Sequence, residues 1–190
     1  YNALSEGETE TITVTYQVSD SEGASDENSF EIIITGTNDT PVATYNTAQT
    51  ATEDADAISG QLTAIDLDSS DSDNLSYSLL GNEIPGLTIQ PDGSWSFDPS
   101  HEAYQNLANG EVQTIQVQYG VSDTNNALAQ NSFTIDLVGS NDTPIATAAD
   151  LILPSIQEDS NLFISADQLL AGSTDIDGDI LSIDNLTVAT

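Results

Sequence analysis

The sequence predicts an all-β fold, arranged as tandem β-sandwich repeats. Apolar and polar residues alternate over several eight-residue stretches, which is the period of a strand with one buried face. Hydrophobic residues make up 37% of the 190 residues, enough to form a core, and no stretch shows the period of a long helix. A segment of the chain also returns after an interval that fits one small sandwich domain.

The internal repeat relates residues 1–43 to residues 104–146. At an offset of 103 positions, 22 of the 43 aligned residues are identical without a gap, and the match ends in GTNDTPVA and GSNDTPIA. This interval is the size of a small β-sandwich. We therefore predict the C-terminal part of one repeat over 1–42, a complete repeat over 43–145 and the N-terminal part of a third over 146–190.

Each strand is predicted from its own segment. TITVTYQV and SFEIII read as successive strands, and TIQVQYGV and SFTIDL are their copies. Their alternate apolar residues, among them Phe30 and Ile32 in the first copy and Phe133 and Ile135 in the second, are expected to face a core. LTIQPDGSWSF predicts a hairpin that turns at Gly93, and SADQLLAG predicts at most one helical turn. About seven strands per repeat indicate an immunoglobulin-like sandwich.

Two aromatic residues and the chain ends complete the structural expectations. Trp95 is interpreted as a core residue rather than as a platform for a ligand, and Tyr104 as a structural residue of a tyrosine corner, whose hydroxyl ties the chain at an edge turn. The incomplete repeats at the two ends cannot bury a core alone, so we expect them to fray or to complement each other between molecules. Because no initial Met or signal peptide is present, we expect the sequence to be part of a longer chain.

The charge of the chain limits its partners. There is no Lys or Arg against 32 Asp and Glu, which gives a formal net charge of −32. Such a chain repels nucleic acid and anionic membranes and attracts cations. No apolar run approaches the roughly 20 residues of a membrane span, so no membrane insertion is expected. The absence of Cys excludes disulfides and thiolate metal sites. The acidity could also serve solubility alone.

The acidic residues gather in short segments, which points instead to metal binding. An Asp-x-Asp spacing lets two carboxylates face one ion, but calcium takes six to eight oxygen ligands, so several segments must converge. The strand order of an immunoglobulin-like sandwich brings such segments together at two places. The first predicted group contains Asn38, Asp39, Asp66, Asp68 and Asp123; the second contains Glu53, Asp54, Glu111, Asn141, Asp142, Asp175, Asp177 and Asp179.

The order of these motifs resembles two families. From residue 66 to residue 146, GSWSFDP, a Tyr and a Leu before GE, YGVSD and GSNDTPIA resemble the VCBS repeats of very large bacterial surface proteins, including RTX adhesins. Residues 157–184, QEDSNLFISADQLLAGSTDIDGDILSID, resemble bacterial cadherin-like repeats. The resemblance implies tandem immunoglobulin/cadherin-like sandwiches, a bacterial cell-surface location and calcium bound at each joint, the linker between two repeats.

The cadherin resemblance also implies individual roles. Cadherins hold interdomain calcium with a Glu near the end of the first strand, an Asn-Asp linker before a Pro, an Asp-x-Asp and a further loop Asp. The matching residues at the second joint are Glu53, Asn141, Asp142, Asp175 and Asp177, and at the first joint Asn38, Asp39, Asp66, Asp68 and Asp123. The linker is one Asp-Asn pair shorter than in cadherins and the Leu-Asp-Arg-Glu motif is absent. We therefore expect one or two ions per joint.

These observations favour a calcium-rigidified spacer of a bacterial adhesin over two alternatives. Its partners would be calcium ions and the neighbouring repeats of the same chain. The spacer would hold a distal ligand-binding domain of the adhesin away from the cell. A calcium-dependent module that binds carbohydrate or protein is the main alternative, with only 6% aromatic residues to support it. Enzyme activity is not expected, because no Lys, Arg or Cys is present and the single His101 lies in a predicted turn without a catalytic partner.

Overall fold

The regular structure is almost entirely β. A computed structural model describes residues 1–147, 155 and 157–187 of the chain. Within them the fold is all-β, as predicted, and the one helix, α1 (Ala166–Leu169), is the single turn expected of SADQLLAG. No helix in these ranges is long and apolar enough to cross a membrane. The strands are β1 (Thr9–Ser19), β2 (Ser25–Thr35), β3 (Val42–Ala43), β4 (Gln49–Thr52), β5 (Ile58–Gln61), β6 (Ala64–Ile65), β7 (Ser76–Leu79), β8 (Leu87–Ile89), β9 (Ser94–Phe97), β10 (Val112–Ser122) and β11 (Leu128–Val138).

The strands form four sheets. The largest has the order β4-β11-β10-β7, and a three-stranded sheet has the order β5-β9-β8. Strands β1 and β2 form a hairpin, and β3 and β6 form a two-residue ladder. Strand β4 runs parallel to β11, whereas β7 runs antiparallel to β10. In the described residues nine strands follow the first hairpin, against about seven predicted for one repeat, and two of the nine, β3 and β6, have only two residues each.

The chain divides into two compact units, each assembled from three segments. Unit 1 comprises Tyr1–Ala48, Ser59–Ser96 and Gln116–Thr134. Unit 2 comprises Gln49–Ile58, Phe97–Ile115 and Ile135–Thr190.

Unit 1 has an aromatic core. The rings of Trp95 and Phe133 lie 5.1 Å apart, and Tyr45 meets Phe133 edge-on at 5.2 Å. The hydroxyl of buried Tyr119 donates a 2.8 Å hydrogen bond to the carbonyl of Tyr45. A Cβ on Gly60 would lie only 2.7 Å from the indole of Trp95, so the strand must pass the ring without a side chain. The predicted core position of Trp95 is confirmed.

Unit 2 has its own apolar core. Its central pair is Phe97 and Tyr104, with ring centroids 5.5 Å apart. Ile135 and Leu137 point from β11 into the same unit and are fully buried. Tyr104 is buried as well, which agrees with the structural role predicted for it.

The first hairpin has strands of the predicted length but lacks the predicted burial. Strands β1 and β2 pair over all 11 residues, from Thr9 opposite Thr35 to Ser19 opposite Ser25, so this segment is not frayed. Phe30 is nevertheless 51% exposed and Ile32 45%, whereas their copies Phe133 and Ile135 are buried. The expectation that Phe30 and Ile32 face a core is wrong. The alternation of apolar and polar residues is sufficient for the two strands to form. Their apolar side chains become buried only when a second sheet packs against the hairpin.

Candidate metal centres

The first predicted group forms a hydrogen-bonded cluster within unit 1, here called the Asn38 cluster: Asn38, Asp39, Asp66, Asp68 and Asp123. Asp66 starts a tight turn, because its Oδ1 accepts the backbone N–H of Asp68 at 2.9 Å. The Oδ2 of Asp68 accepts the N–H of Asp39 at 2.8 Å, and this bond attaches the linker to the loop after β6. The Asp-x-Asp loop and the Asn-Asp linker are therefore in direct contact.

Asp123 adds a third segment to this cluster. Its Oδ1 accepts the backbone N–H groups of Asn125 and Ala127 and so closes an Asx turn between β10 and β11. Its Oδ2 accepts the side-chain amide of Asn38 at 3.0 Å. Asp20 makes the same turn in the first hairpin but is exposed. The recurring Val-Ser-Asp motif is thus a turn motif, and the Asp of its second copy also accepts the side-chain amide of Asn38.

Three carboxylates of the Asn38 cluster, those of Asp66, Asp68 and Asp123, are buried without a countercharge. Asp66 is 9% exposed, Asp68 is fully buried, and the chain has no Lys or Arg to pair with them. Burial raises the pKa of Asp66, and the negative charges of Asp68, Asp71 and Asp123 raise it further. In this cluster three buried oxygen atoms have no hydrogen-bond partner among the described residues: Asn38 Oδ1, Asp66 Oδ2 and Asp68 Oδ1.

The second predicted group repeats this pattern within unit 2. The Asn141 cluster is defined as Glu53, Asp54, Asn141, Asp142, Asp175, Asp177 and Asp179. Asp142 donates its N–H to Asp177 Oδ2 at 2.8 Å, and Asp177 donates its N–H to Asp175 Oδ1 at 3.0 Å. The amide of Asn141 reaches the carbonyl of Asp142 at 2.7 Å, as the amide of Asn38 reaches that of Asp39 at 2.8 Å.

Glu53 completes the Asn141 cluster from the end of β4. Its Oε2 accepts the backbone N–H of Ser140 at 2.9 Å, and the residue is only 2% exposed. Burial raises the pKa of Glu53, and the charges of Asp142, Asp54 and Asp177 add to this effect. Burial also raises the pKa of Asp142. The buried oxygens Glu53 Oε1, Asp142 Oδ2 and Asp177 Oδ1 have no hydrogen-bond partner among the described residues.

Three further members of the second predicted group, Asp179, Asp54 and Glu111, differ in position. Carboxylate oxygens of Asp175, Asp177 and exposed Asp179 all lie within 4.8 Å of one another. Asp54 has a positive φ of 61° and accepts the side-chain amide of Gln105 at 2.9 Å. Glu111 is exposed, and its carboxylate accepts the N–H of Ala108 in its own turn, as Glu8 does with Ser5. This hydrogen bond of Glu111 thus belongs to a turn.

Sequence reasoning did not select Asp71. It is only 2% exposed and lies three positions after Asp68, and its charge raises the pKa of Asp66. The neighbouring Asp73 is exposed. Both belong to one acidic run, and no periodicity in that run separates the buried residue from the exposed one.

The chemistry of both clusters suits a hard divalent cation. Every buried unpartnered atom of the two clusters is a carboxylate or amide oxygen, which is the ligand type of calcium and magnesium rather than of zinc or copper. A buried acceptor without a donor costs about 1–3 kcal/mol, and more when it is charged. A cation at these oxygens would remove that cost, so the residues fit the ion that the motifs predict.

Comparisons with known proteins agree with the fold. The sequence model of the cadherin-like domain matches residues 140–190, and that of the bacterial Ig domain matches residues 38–136. No curated protein matches the chain.

Among solved structures, the cadherin domains 1–4 of protocadherin gamma B7 share 14% identity at a TM-score of 0.47, covering 80% of this chain and 46% of theirs. Mouse clustered PcdhgC3 EC1-3 shares 14% at 0.45, covering 68% and 43%. The human desmocollin-1 ectodomain shares 21% at 0.39, covering 65% and 24%. The chain thus spans less than half the length of these structures.

The bacterial Ig match decides the family. It covers slightly more than half of the 190 residues and includes strands β3 to β10 and most of β11. The predicted immunoglobulin-like class is therefore confirmed, and the chain belongs to the bacterial Ig domain family.

Proposed function

We propose that the chain is a calcium-rigidified spacer of a bacterial cell-surface adhesin of the VCBS and RTX type. Bacterial Ig and cadherin-like domains are typically extracellular repeat modules with structural or adhesive roles rather than enzymes. The proposed ligands are the members of the Asn38 and Asn141 clusters, with one or two calcium ions in each. The partners are these ions and the neighbouring repeats of the chain.

One observation carries the proposal. Two linkers, at Asp39 and Asp142, each donate a backbone N–H to the second Asp of an Asp-x-Asp loop, at 2.8 Å in both cases. Each cluster also retains buried oxygens without hydrogen-bond partners among the described residues. A single buried acceptor could be an accident of packing. The same pattern at two linkers supports a common ligand.

Calcium would act by joining segments that otherwise repel each other. In the Asn38 cluster the linker, the loop after β6 and the turn after β10 all contribute oxygen atoms. An ion bound between them would replace carboxylate repulsion with attraction and restrain the linker. Extracellular calcium modules bind with dissociation constants on the order of 10⁻⁴–10⁻³ M, which suits a protein exposed to millimolar calcium.

The decisive experiment is calcium titration of the intact chain by calorimetry, together with thermal melting. At calcium concentrations near 100 times the dissociation constant we expect a stabilisation of about 2.7 kcal/mol, which for a chain of this size corresponds to roughly 5–10 °C. Asp66→Asn combined with Asp68→Asn keeps acceptor oxygens but removes two charges. This double variant should lose the heat of one class of sites.

The matched control is Asp73→Ala combined with Glu83→Ala, which removes two exposed acidic side chains of unit 1. It should bind calcium like the wild type. Identical melting curves in calcium and in chelator would overturn the proposed function.

A further inference from the structure

Asp71 differs in its hydrogen bonds from Asp66 and Asp68, the two proposed calcium ligands of the Asp-x-Asp loop. Its Oδ1 accepts both the hydroxyl and the backbone N–H of Thr124, at 2.5 Å and 3.3 Å. The hydroxyl of Ser70 approaches its Oδ2 at 3.4 Å. Asp66 and Asp68, by contrast, each keep a buried oxygen without a partner in the described structure. The oxygens of Asp71 are therefore already used by protein donors.

Thr124 directly follows Asp123, so the bond from Asp71 acts on the turn that carries this residue. Asp123 Oδ1 closes the turn through Asn125 and Ala127, and Oδ2 reaches Asn38. The turn is exposed at Thr124, whereas Asp71 is buried. Asp71 is thus the anchor that ties the start of the turn to the loop after β6.

We propose that Asp71 is a positioning residue of the Asn38 cluster, which holds Asp123 in place for cation binding through Thr124 without coordinating the ion itself. The proposal rests on the calcium function proposed above. Substitution of a residue that orients a metal ligand from outside the coordination shell commonly lowers metal affinity by roughly 10- to 100-fold.

The Asn141 cluster provides an internal comparison. When Asp175 and Asp177 are aligned with Asp66 and Asp68, the position of Asp71 is taken by Ile180, which is 99% exposed. The described part of the second cluster therefore has no equivalent anchor. Changes at Asp71 should affect one class of sites and leave the other unchanged.

The test compares Asp71→Ala, Asp71→Asn and Thr124→Val by calcium calorimetry of the intact chain. Asp71→Ala should weaken one class of sites by roughly 10- to 100-fold. Asp71→Asn removes the same charge but keeps an oxygen that accepts from Thr124, so it should restore most of the affinity. Thr124→Val loses the hydroxyl donor and should weaken the same class. Asp73→Ala, an exposed change in the same loop, should bind like the wild type.

The outcomes separate the alternatives. If Asp71→Asn binds as weakly as Asp71→Ala, Asp71 acts by its charge or as a ligand, and the positioning role is overturned. Wild-type affinity in Asp71→Ala, even with a lower metal-free melting temperature, also overturns it, because the role would then be structural only. If Asp71→Ala does not fold, Asp71→Asn and Thr124→Val still decide. If calcium titration of the wild type gives no heat of binding, that result would instead contradict the proposed function.

Discussion

At the residue scale, the buried carboxylates determine how stability depends on pH. Glu53 and Asp66 have pKa values raised by burial and by neighbouring carboxylates. In the unfolded chain these groups return to their ordinary values, 4.5 and 3.8. The folded protein therefore takes up protons first as the pH falls. Stability that depends on these groups is lowest above the folded pKa values and rises as the pH drops through them.

We expect the metal-free protein to gain stability between neutral pH and pH 4.5, measured as the free energy of unfolding in chelator. Glu53→Gln should make this dependence shallower, because it removes one of the raised pKa values while the net charge of the chain stays nearly the same. In calcium the trend should reverse, because protons compete with the ion for the same oxygens. A metal-free stability that decreases steadily over this range would contradict the burial effect.

At the scale of elements, the two long hairpins separate strand formation from burial. Strands β10 and β11 carry the same apolar positions as β1 and β2, yet only the later pair contributes to a closed core. In the first hairpin the rings of Tyr16 and Phe30 contact each other on the surface of the hairpin, with centroids 6.3 Å apart. The strands are fixed by alternation and by the turn, and their energetic contribution depends on the surfaces that cover them.

Equivalent substitutions in the two hairpins should therefore differ in cost. Phe133→Ala removes a ring packed on Trp95, Tyr45 and Tyr119, and should lower the free energy of unfolding by about 3–5 kcal/mol. Phe30→Ala, at the copied position, should cost about 1 kcal/mol or less because the side chain is half exposed. Urea denaturation of both variants measures the difference. Equal costs would show that the first hairpin is also covered in solution.

The two hairpins also show what could be read from the sequence. The strand positions, the turn at Gly93 with φ of 83° and the core position of Trp95 all follow from local patterns. The proximity of each linker to its Asp-x-Asp loop follows from the sandwich topology. The exposure of Phe30 and the burial of Asp71 do not, because both depend on segments far away in the chain.

At the scale of the whole molecule, the net charge of −32 opposes compaction. Salt screens such repulsion between charges more than about 10 Å apart at 0.1 M ionic strength, whereas a bound divalent ion neutralises charge at one place. Diffuse screening and specific binding therefore make separable contributions to stability.

Sodium chloride and calcium chloride, compared at equal ionic strength, should distinguish these contributions. We expect both salts to raise the melting temperature and calcium to raise it further. In the Asp66→Asn and Asp68→Asn double variant, the additional rise in melting temperature that calcium causes should be smaller than in the wild type. The rise in sodium chloride should be unchanged. If the two salts raise the melting temperature of the wild type equally, the acidic residues affect stability only through general electrostatic repulsion and not through specific calcium binding.

The parallel contact between β4 and β11 has a consequence for the order of folding. It joins Gln49 to Ile135, 86 positions apart, whereas the outermost pair of the first hairpin, Thr9 and Thr35, is 26 positions apart. Closing the longer loop costs about 1 kcal/mol more in chain entropy, and distant pairings slow folding. The hairpins should therefore form early, and Glu53, which follows β4, should reach its place beside Ser140 only after them.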